Sequence, residues 1–422
     1  MLDLRRIRED PQGVRAALAR RGAGAADAID RVIELDERRR RLLPELEGLR
    51  AEQNRANARI RDSGEAAERE REIEAMRAVA ARAKELEREL AEVEENLKAA
   101  LAPLPNLPDP SAAPGPGDEL VREVGTVPEL PFEPRDHLEL AGEAIDMDRA
   151  AKLSGSRFAY LKGDLVMLEL ALVRWSLEKL RGRGFEPVVP PVLVRERALY
   201  GTGFLPDTEQ QLYSLPEDEL FLAGTSEVAL ASLHDGEILD SERLPLRYAG
   251  FSPCFRREAG AAGKDTRGIF RVHQFDKVEM FSFVAPEESA GEHERILAIE
   301  EEILSELGIP YRVVNIAVSD LGNSAAKKYD CEAWLPSQGR YRELTSCSNT
   351  TDYQARRLDI RMRREKRTLT PHTLNGTAVA VGRTIVALLE NGQQADGSVE
   401  LPEALRAYGA PARLGPAAPA GT

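Results

Sequence analysis

Residues 272–284 read VHQFDKVEMFSFV and form the longest β-strand candidate in the chain. The stretch is rich in Val and Phe, which favour strands over helices. Shorter strand candidates lie on both sides of it, at Leu220–Ala223, Leu246–Phe255 and Tyr311–Ala317. A strongly apolar helix is predicted upstream at Leu165–Leu180, and Phe185–Val194 is again rich in strand-forming residues. This mixture predicts an α+β domain from about Asp118 to Tyr408.

A dense run of proline and glycine precedes this domain. Residues 102–110 read APLPNLPDP, and residues 114–117 read PGPG. Such a composition marks a linker and a domain boundary. We therefore predict one domain over residues 1–110 and the α+β domain over residues 111–408. Residues 409–422 are mainly Ala, Pro and Gly with almost no charge, and we expect them to be disordered.

Between about Ala28 and Ala100, apolar residues recur in steps of three and four, which is the heptad pattern of a coiled coil. The pattern is interrupted once, at Asp62-Ser63-Gly64. The seam residues are Leu35, Leu42, Leu46, Leu49, Ala56 and Ile60 before this point, and Ile73, Met76, Val79, Ala83, Leu86, Leu90, Val93 and Leu97 after it. Two helices joined by a short turn fold back on each other. The sequence therefore predicts an antiparallel two-helix coiled-coil arm.

Arginine is frequent on the first helix of this arm, and two interpretations of that fact stay open. Glutamates are interleaved with the arginines, which is typical of ion pairing along a helix surface. The arginines also form a basic stripe of the kind that contacts phosphate. Most coiled coils are dimerisation or spacer elements, but here one chain supplies both strands. The first-helix arginines are Arg31, Arg38, Arg39, Arg40, Arg41, Arg50, Arg55, Arg59 and Arg61.

The composition of the 422 residues narrows the class of protein. The net charge of −14 counts against a nucleic-acid partner, although a local basic stripe is enough for one. The three cysteines include no CxxC pair, so neither a disulfide framework nor a cysteine-rich zinc site is predicted. The first residues, MLDLRR, do not resemble a signal peptide, and no apolar run reaches membrane length. We therefore expect a cytoplasmic protein without a membrane partner.

Two short motifs point to other chemistry but are incomplete. Residues 260–265 read GAAGKD and resemble a phosphate-binding loop, but the spacing is wrong and Asp265 stands where Ser or Thr would hold magnesium. His293-Glu294 begins like a zinc-protease helix, but the second histidine is missing. The sequence therefore predicts neither kind of site.

Three longer segments occur in a fixed order. The first is FEPVVPP at 185–191, after the apolar helix; the second is CFRRE at 254–258 followed by FRVHQFDKVEMF at 270–281; the third is NGTAVAVGRTIVALLEN at 375–391. They resemble motifs 1, 2 and 3 of the class II aminoacyl-tRNA synthetases. An arginine-rich strand alone is weak evidence, but the ordered triple is specific.

Further segments resemble one branch of that class. Thr225-Ser226-Glu227 is similar to the Thr-x-Glu motif of the seryl-tRNA synthetases, and 343–357 is similar to their signature before motif 3. The resemblance to bacterial-type members covers the chain apart from its tail. It implies a homodimer that activates L-serine with ATP and transfers it to tRNA(Ser), and to tRNA(Sec) where the host has one. It also implies a tRNA-binding domain over 1–110 and, over 111–408, a class II catalytic domain built on an antiparallel β-sheet flanked by helices.

The resemblance also implies roles in binding ATP. Arg256 would hold the α-phosphate and Arg383 the γ-phosphate, and the planar guanidinium of arginine suits phosphate because it binds two oxygens at once. Phe275 would stack on adenine with Arg383 on the opposite face, and Glu258 would bond the adenine amino group. Val272 is a further ATP contact, and Glu343 and Ser346 would hold Mg²⁺ and phosphate.

The same resemblance implies the serine contacts. Thr225 and Glu227 would receive the amino group, while Glu279 and Thr377 would approach the hydroxyl. Many relatives have Ser at the position of Thr377, but the hydroxyl is retained. A pocket that hydrogen-bonds a substrate hydroxyl rejects an analogue without it by about 10⁴–10⁵. No zinc is expected, because no histidine and cysteine set is present.

For tRNA, the candidate contacts are the arm residues Arg38, Arg41, Arg50 and Arg55. Three rival families are disfavoured. Homologues that adenylate for a carrier protein typically lack the arm, and non-catalytic paralogues should have lost Arg256, Glu279 or Arg383. Threonyl and prolyl enzymes usually carry a further domain after motif 3, where this chain has a short tail.

Overall fold

The computed structural model describes residues 1–62, 65–206, 211–259, 263 and 265–415. The chain forms two compact units, Met1–Pro105 and Asn106–Thr422. The predicted turn at Ser63-Gly64, most of the GAAGKD segment and the chain end at 416–422 lie outside the described residues. Within the described ranges, no helix is both long enough and apolar enough to cross a membrane.

Four helices make up the described part of the first unit: α1 (Leu4–Glu9), α2 (Pro11–Ala19), α3 (Ala23–Asp62) and α4 (Ala66–Leu101). The side chain of Asp3 caps α1, and that of Asp10 caps α2 by accepting from the backbone N–H of Gly13. The long helices α3 and α4 run antiparallel, since Arg39 pairs with Glu94 near one end and Arg59 pairs with Glu72 near the other. The predicted antiparallel two-helix arm is confirmed.

A row of apolar side chains joins the two helices of the arm. The buried seam residues are Leu35, Leu42, Leu46 and Ala56 on α3, and Ala83, Leu86, Leu90, Val93 and Leu97 on α4. The seam prediction is wrong for Ile73, which is 46% exposed. A two-helix arm has a single seam and no further layer to cover its edges, so a side chain beside the seam stays accessible to water.

Ion pairs cross between the arm helices beside this seam. Arg38 pairs with Glu89 at 2.8 Å and Arg50 with Glu87 at 2.8 Å, and these side chains are largely exposed. Exposed pairs of this kind stabilise a helix only weakly. Two of the four candidate tRNA contacts thus already have a carboxylate partner. Among the described residues, Arg41 and Arg55 have none.

Eighteen strands and eight helices are described in the second unit. In chain order the strands are β1 (Glu119–Val124), β2 (Ile145–Asp146), β3 (Tyr160–Leu161), β4 (Glu186–Val188), β5 (Leu193–Arg195), β6 (Tyr213–Leu215), β7 (Leu220–Leu222), β8 (Ile238–Asp240), β9 (Leu246–Phe255), β10 (Gln274–Val284), β11 (Tyr311–Asn315), β12 (Lys327–Leu335), β13 (Arg340–Thr351), β14 (Arg361–Arg364), β15 (Arg367–Leu369), β16 (His372–Ala380), β17 (Val399–Glu400) and β18 (Arg413–Leu414). The helices are α5 (His137–Ala141), α6 (Met147–Ser154), α7 (Asp164–Gly182), α8 (Glu196–Thr202), α9 (Glu227–Ala231), α10 (Ser289–Glu306), α11 (Tyr353–Arg357) and α12 (Val381–Asn391).

Eight of these strands form one sheet, in the order β1-β11-β12-β13-β16-β10-β9-β4. The β4–β9 pair is parallel, and the other neighbours are antiparallel. The predicted α+β class, with an antiparallel sheet flanked by helices, is confirmed. Strand β9 has the predicted bounds, while β10 begins two residues later than predicted. The backbone N–H of His273 donates to the carbonyl of Arg157, outside the sheet.

Helices α7, α10 and α12 contribute to one large apolar core on one face of the sheet. Trp175, Ile296 and Leu388 from these helices pack there with Val278 and Met280 of β10. Because side chains alternate along a strand, Lys277 and Glu279 point to the other face. Phe281 and Phe283, further along β10, share that face and belong to a second apolar cluster.

The expected disorder from Gly409 onward is wrong for residues 410–415. Strand β18 pairs with β17, and the backbone N–H of Leu401 donates to the carbonyl of Ala412. Leu414 and Ala410 are buried against the main core. Their apolar side chains anchor this part of the tail, which the low complexity of the sequence conceals.

Helix α10 packs tightly on the sheet at Gly376. A Cβ on this residue would lie 2.3 Å from Cγ2 of Ile296 and 3.1 Å from the Cβ of Cys347. We expect Gly376→Ala to lower the free energy of unfolding by about 1–3 kcal/mol, because a methyl group is forced into a filled core. Thermal unfolding measures the effect.

The control is Gly291→Ala, in helix α10, which is the helix that packs against Gly376. No atom lies within 4 Å of a Cβ built there, so this change should leave the melting temperature unchanged or raise it slightly. Equal melting temperatures for the two variants would contradict the tight packing at Gly376.

Candidate active site

Strand β10 supplies one row of the site. Phe275, Lys277 and Glu279 alternate with core residues and line a cavity of about 680 Å³ on the open face of the sheet. Lys277 and Glu279 are buried, with 6% and 2% exposure. Two ionisable side chains at this depth require partners, since isolated buried charges are costly.

The strand register brings those partners. Glu279 pairs with Thr377 of β16, directly after a register shift at Val278, and the Thr377 hydroxyl donates to Oε2 of Glu279 at 3.3 Å. Lys277 forms an ion pair with the same carboxylate oxygen. Its Nζ also donates to Oγ1 of Thr225 at 2.7 Å.

Glu227 lies beside this group at the start of α9. Nε2 of Gln354 donates to its Oε1 at 2.8 Å. Burial and the nearby charge of Glu279 raise the pKa of Glu227 to about 7, although Gln354, Lys277 and Asn375 oppose the shift. Glu227 therefore titrates near neutral pH, and a second cation in the pocket would favour its ionised form.

Arg256 follows β9 and stands between two parts of the cavity. Its Nε donates to the carbonyl of Gly224, next to Thr225, at 3.1 Å. Its Cζ lies 5.3 Å from the centre of the Phe275 ring. The guanidinium therefore borders both Thr225 and the Phe275 ring.

Arg383 lies in the first turn of α12. Its Nη1 donates to the backbone carbonyl of Glu343 at 3.0 Å and is 3.5 Å from the carboxylate of the same residue. Its Cζ lies 5.0 Å from the centre of the Phe270 ring. A helix N-terminus adds favourable field for an anion at this position.

Glu258 and Val272 complete the wall next to Phe275. The carboxylate of Glu258 accepts from Nη1 of Arg271 at 2.6 Å, and Arg271 is 3.5 Å from Asp265. These bonds fix the orientation of Glu258, whose backbone is in the left-handed region at a φ of 50°.

Glu343 and Ser346 on β13 are three residues apart, which would place them on opposite faces of a regular strand. A register shift between β12 and β13 inserts Leu344 as an extra residue, and both side chains line the cavity. Loss of hydration at the cavity edge would raise the pKa of Glu343, but the charges of Arg383, Lys328 and Arg256 outweigh this effect and hold the pKa below its usual value.

Glu343 and Ser346 therefore present an ionised carboxylate and a hydroxyl to the same space. Hard oxygen donors of this kind suit Mg²⁺, which is commonly held by one or two protein ligands together with substrate phosphates. Within the described residues, no group of three or more His, Cys, Asp and Glu side chains could hold a metal ion by itself. The donor set thus fits Mg²⁺ in the company of phosphate.

The cavity brings together every ATP and serine candidate named from the sequence: Thr225, Glu227, Arg256, Glu258, Val272, Phe275, Glu279, Glu343, Ser346, Thr377 and Arg383. Sequence reasoning missed Lys277, Gln354, Asn375 and Arg271. A signal existed for Lys277, since it is two residues from Glu279 on the same strand and must share its face. The contact of Gln354 with Glu227 had no such signal, because 127 positions separate the two residues.

The chain is similar to known proteins along most of its length. Residues 1–108 match the seryl-tRNA synthetase N-terminal domain, and residues 212–392 match the tRNA synthetase class II core domain (G, H, P, S and T). A serine–tRNA ligase of Acidothermus cellulolyticus is 52% identical over 412 residues, which cover 97% of this chain and 98% of the relative. A serine–tRNA ligase of Streptomyces coelicolor is 51% identical over 417 residues, 97% of each chain.

A solved structure is similar to the chain as well. The crystal structure of seryl-tRNA synthetase from Pyrococcus horikoshii complexed with ATP superposes with a TM-score of 0.92 at 42% identity. The match covers 99% of this chain and all of that one.

Proposed function

Since the chain belongs to the seryl-tRNA synthetase family, we propose that the cavity on the open face of the eight-stranded sheet is where its serine and ATP react. The protein is a serine–tRNA ligase: it activates L-serine with ATP to seryl-adenylate and transfers serine to tRNA(Ser). The observation that most supports the assignment of the site is that all eleven candidate residues, taken from distant parts of the chain, line one cavity. By family resemblance, tRNA(Sec) is a second acceptor where the host has it.

Arg256 and Arg383 are the proposed catalytic residues. In activation, the serine carboxylate attacks the α-phosphorus of ATP and pyrophosphate leaves, so negative charge must be neutralised and the groups held in line. Arg256 contacts both Gly224 beside the serine group and the Phe275 ring, which suits a residue at the α-phosphate. Arg383, at the start of α12, suits the γ-phosphate.

The remaining nucleotide contacts lie around the Phe275 ring. Phe275 stacks on adenine with Arg383 opposite, Glu258 accepts from the adenine amino group, and Val272 completes the contact. Glu343 and Ser346 hold Mg²⁺ together with the phosphates. When bound, the ion supplies positive charge to the triphosphate.

At the other end of the cavity, Thr225 and Glu227 bind the amino-group end of serine. Glu279 and Thr377, joined by their hydrogen bond, bind its hydroxyl. A carboxylate is the natural partner for an ammonium group, and a threonine–carboxylate pair offers both a donor and an acceptor to a hydroxyl.

Outside the cavity, we assign residues 1–110 to tRNA binding through the arm and residues 111–408 to catalysis, in a cytoplasmic enzyme. The arm is too thin to enclose a small substrate. Arg38, Arg41, Arg50 and Arg55 all project from α3 into solvent, where a phosphate backbone is accessible to them.

We expect serine to drive exchange of pyrophosphate into ATP, with alanine and threonine weaker by orders of magnitude.

Arg256→Ala and Arg383→Ala should each lower kcat/KM for this exchange at least about 10²-fold, since each removes charge stabilisation from the transition state. Lysine should restore Arg256→Ala only in part, because a point charge cannot bind two oxygens. Equal exchange with another amino acid would contradict the assignment, and a near-normal rate for Arg256→Ala would remove that residue from the site.

The arm arginines differ in their existing partners, and this gives a matched pair of variants. Arg41→Gln with Arg55→Gln removes two unpaired charges, whereas Arg38→Gln with Arg50→Gln removes two that are paired with glutamates. We expect the first pair to raise KM for tRNA more and to reduce the salt slope by about one unit per lost phosphate contact. Serine-dependent exchange should be normal in both. An unchanged KM for tRNA in all four positions would exclude them as contacts.

We also propose a homodimer formed through α7 and the segment after β4. Apolar side chains are exposed there: Met167 by 47%, Leu170 by 55% and Val189 by 80%. Exposed apolar groups of this kind mark association surfaces. Sedimentation should give twice the 46.6 kDa chain mass at micromolar concentration, and Leu170→Glu should shift it toward the monomer. A fully active monomer would disprove the dimer.

A further inference from the structure

Lys277 is a buried cation in the serine end of the cavity to which the proposed function gives no role. Its side chain is 7% exposed. It donates to Oγ1 of Thr225 and forms an ion pair with Oε2 of Glu279, so both of its partners are proposed serine contacts. A lysine at this depth costs free energy unless it is paired, and its pairing restricts the partners in turn.

The two carboxylates proposed to bind serine differ in their partners. Glu279 has the ion pair with Lys277, whereas Glu227 accepts a hydrogen bond from the neutral side chain of Gln354. Glu227 is therefore the carboxylate available to the ammonium group of serine.

The two carboxylate oxygens of Glu279 differ in their hydrogen-bond partners. Both Lys277 and Thr377 engage Oε2, while Oε1 has no hydrogen-bond partner among the described residues. An ionised carboxylate only accepts hydrogen bonds. A fixed, ionised Glu279 thus offers Oε1 as an acceptor to the serine hydroxyl, which alanine lacks.

Thr225 is constrained by the same lysine. Its Oγ1 accepts from Nζ of Lys277 at 2.7 Å and from the backbone N–H of Glu227 at 3.2 Å. These two bonds restrict rotation of the Thr225 side chain, so its position at the edge of the serine pocket is set in part by Lys277.

We propose that Lys277 is a specificity-determining positioning residue: it holds the Glu279 carboxylate and the Thr225 side chain in fixed positions, so that the pocket accepts serine and rejects alanine. This inference rests on the proposed function, because it assumes that Glu279 and Thr225 contact serine. Lys277 acts through these two side chains.

The test measures pyrophosphate exchange with serine and with alanine for Lys277→Met, Lys277→Gln and Lys277→Arg. In the Met and Gln variants, we expect the ratio of kcat/KM for serine over alanine to fall at least about 10-fold, because Glu279 loses the ion pair that fixes its orientation. KM for ATP should change less than about 2-fold. The Arg variant keeps the positive charge beside Glu279 and should retain more of the discrimination than the Met and Gln variants do.

A pH profile separates positioning from a structural role. In the parent, kcat/KM for serine should rise through about pH 7 as Glu227 ionises. The charge of Lys277 lowers the pKa of Glu227, so in the Met variant the same rise should be displaced to higher pH. Lys277 and Glu279 have four other titratable or charged side chains around them on neighbouring elements. These are Glu227 on α9, Cys254 on β9, Arg256 after β9 and Glu300 on α10.

Lys179→Met is the matched control, since Lys179 is also an interior lysine, paired with Glu302 and Glu306 away from the cavity. It should alter the melting temperature without altering the serine-to-alanine ratio. Unchanged ratios and pH profiles in folded Lys277 variants would overturn the inference, and if the Met variant fails to fold, the Gln and Arg variants decide it. Failure of the parent enzyme to use serine would overturn the proposed function instead.

Discussion

The pairing of β10 on both of its edges is the constraint on which the site depends. Its hydrogen bonds to β9 and β16 use the backbone groups on both sides, so its register cannot slip without breaking two ladders at once. A slip of one residue would bury Lys277 and Glu279 among Trp175 and Ile296, and expose Val278 and Met280. The apolar core on one face therefore holds the polar group on the other in place.

The two units are stabilised in different ways. The arm has one apolar seam and exposed ion pairs, so the side chains at its edges are in water. The second unit has a core shared by three helices and the sheet, which can keep charged side chains away from solvent. Catalysis needs dry, fixed charges, whereas a phosphate backbone needs accessible ones. Each activity is thus assigned to the unit whose packing suits it.

Much of this architecture could be predicted from local patterns. The heptad steps gave the arm, the apolar runs gave β9 and most of β10, and the order of three motifs gave the candidate residues. Features that depend on contacts between distant positions were not predictable: the bond from Gln354 to Glu227, the bulge that turns Glu343 and Ser346 to the same face, and the anchoring of the tail by Leu414. Lys277 was within reach, because strand alternation alone places it beside Glu279.

Gly376 has a consequence for how this sequence can diverge. It stands between Asn375 and Thr377, two cavity residues, and its missing side chain is the space that Ile296 of α10 occupies. A larger residue at 376 is compatible with the fold only if residue 296 becomes smaller. Positions 376 and 296 should therefore covary among relatives. Ile296, which lies on a helix outside the cavity, would then constrain the evolution of the serine pocket.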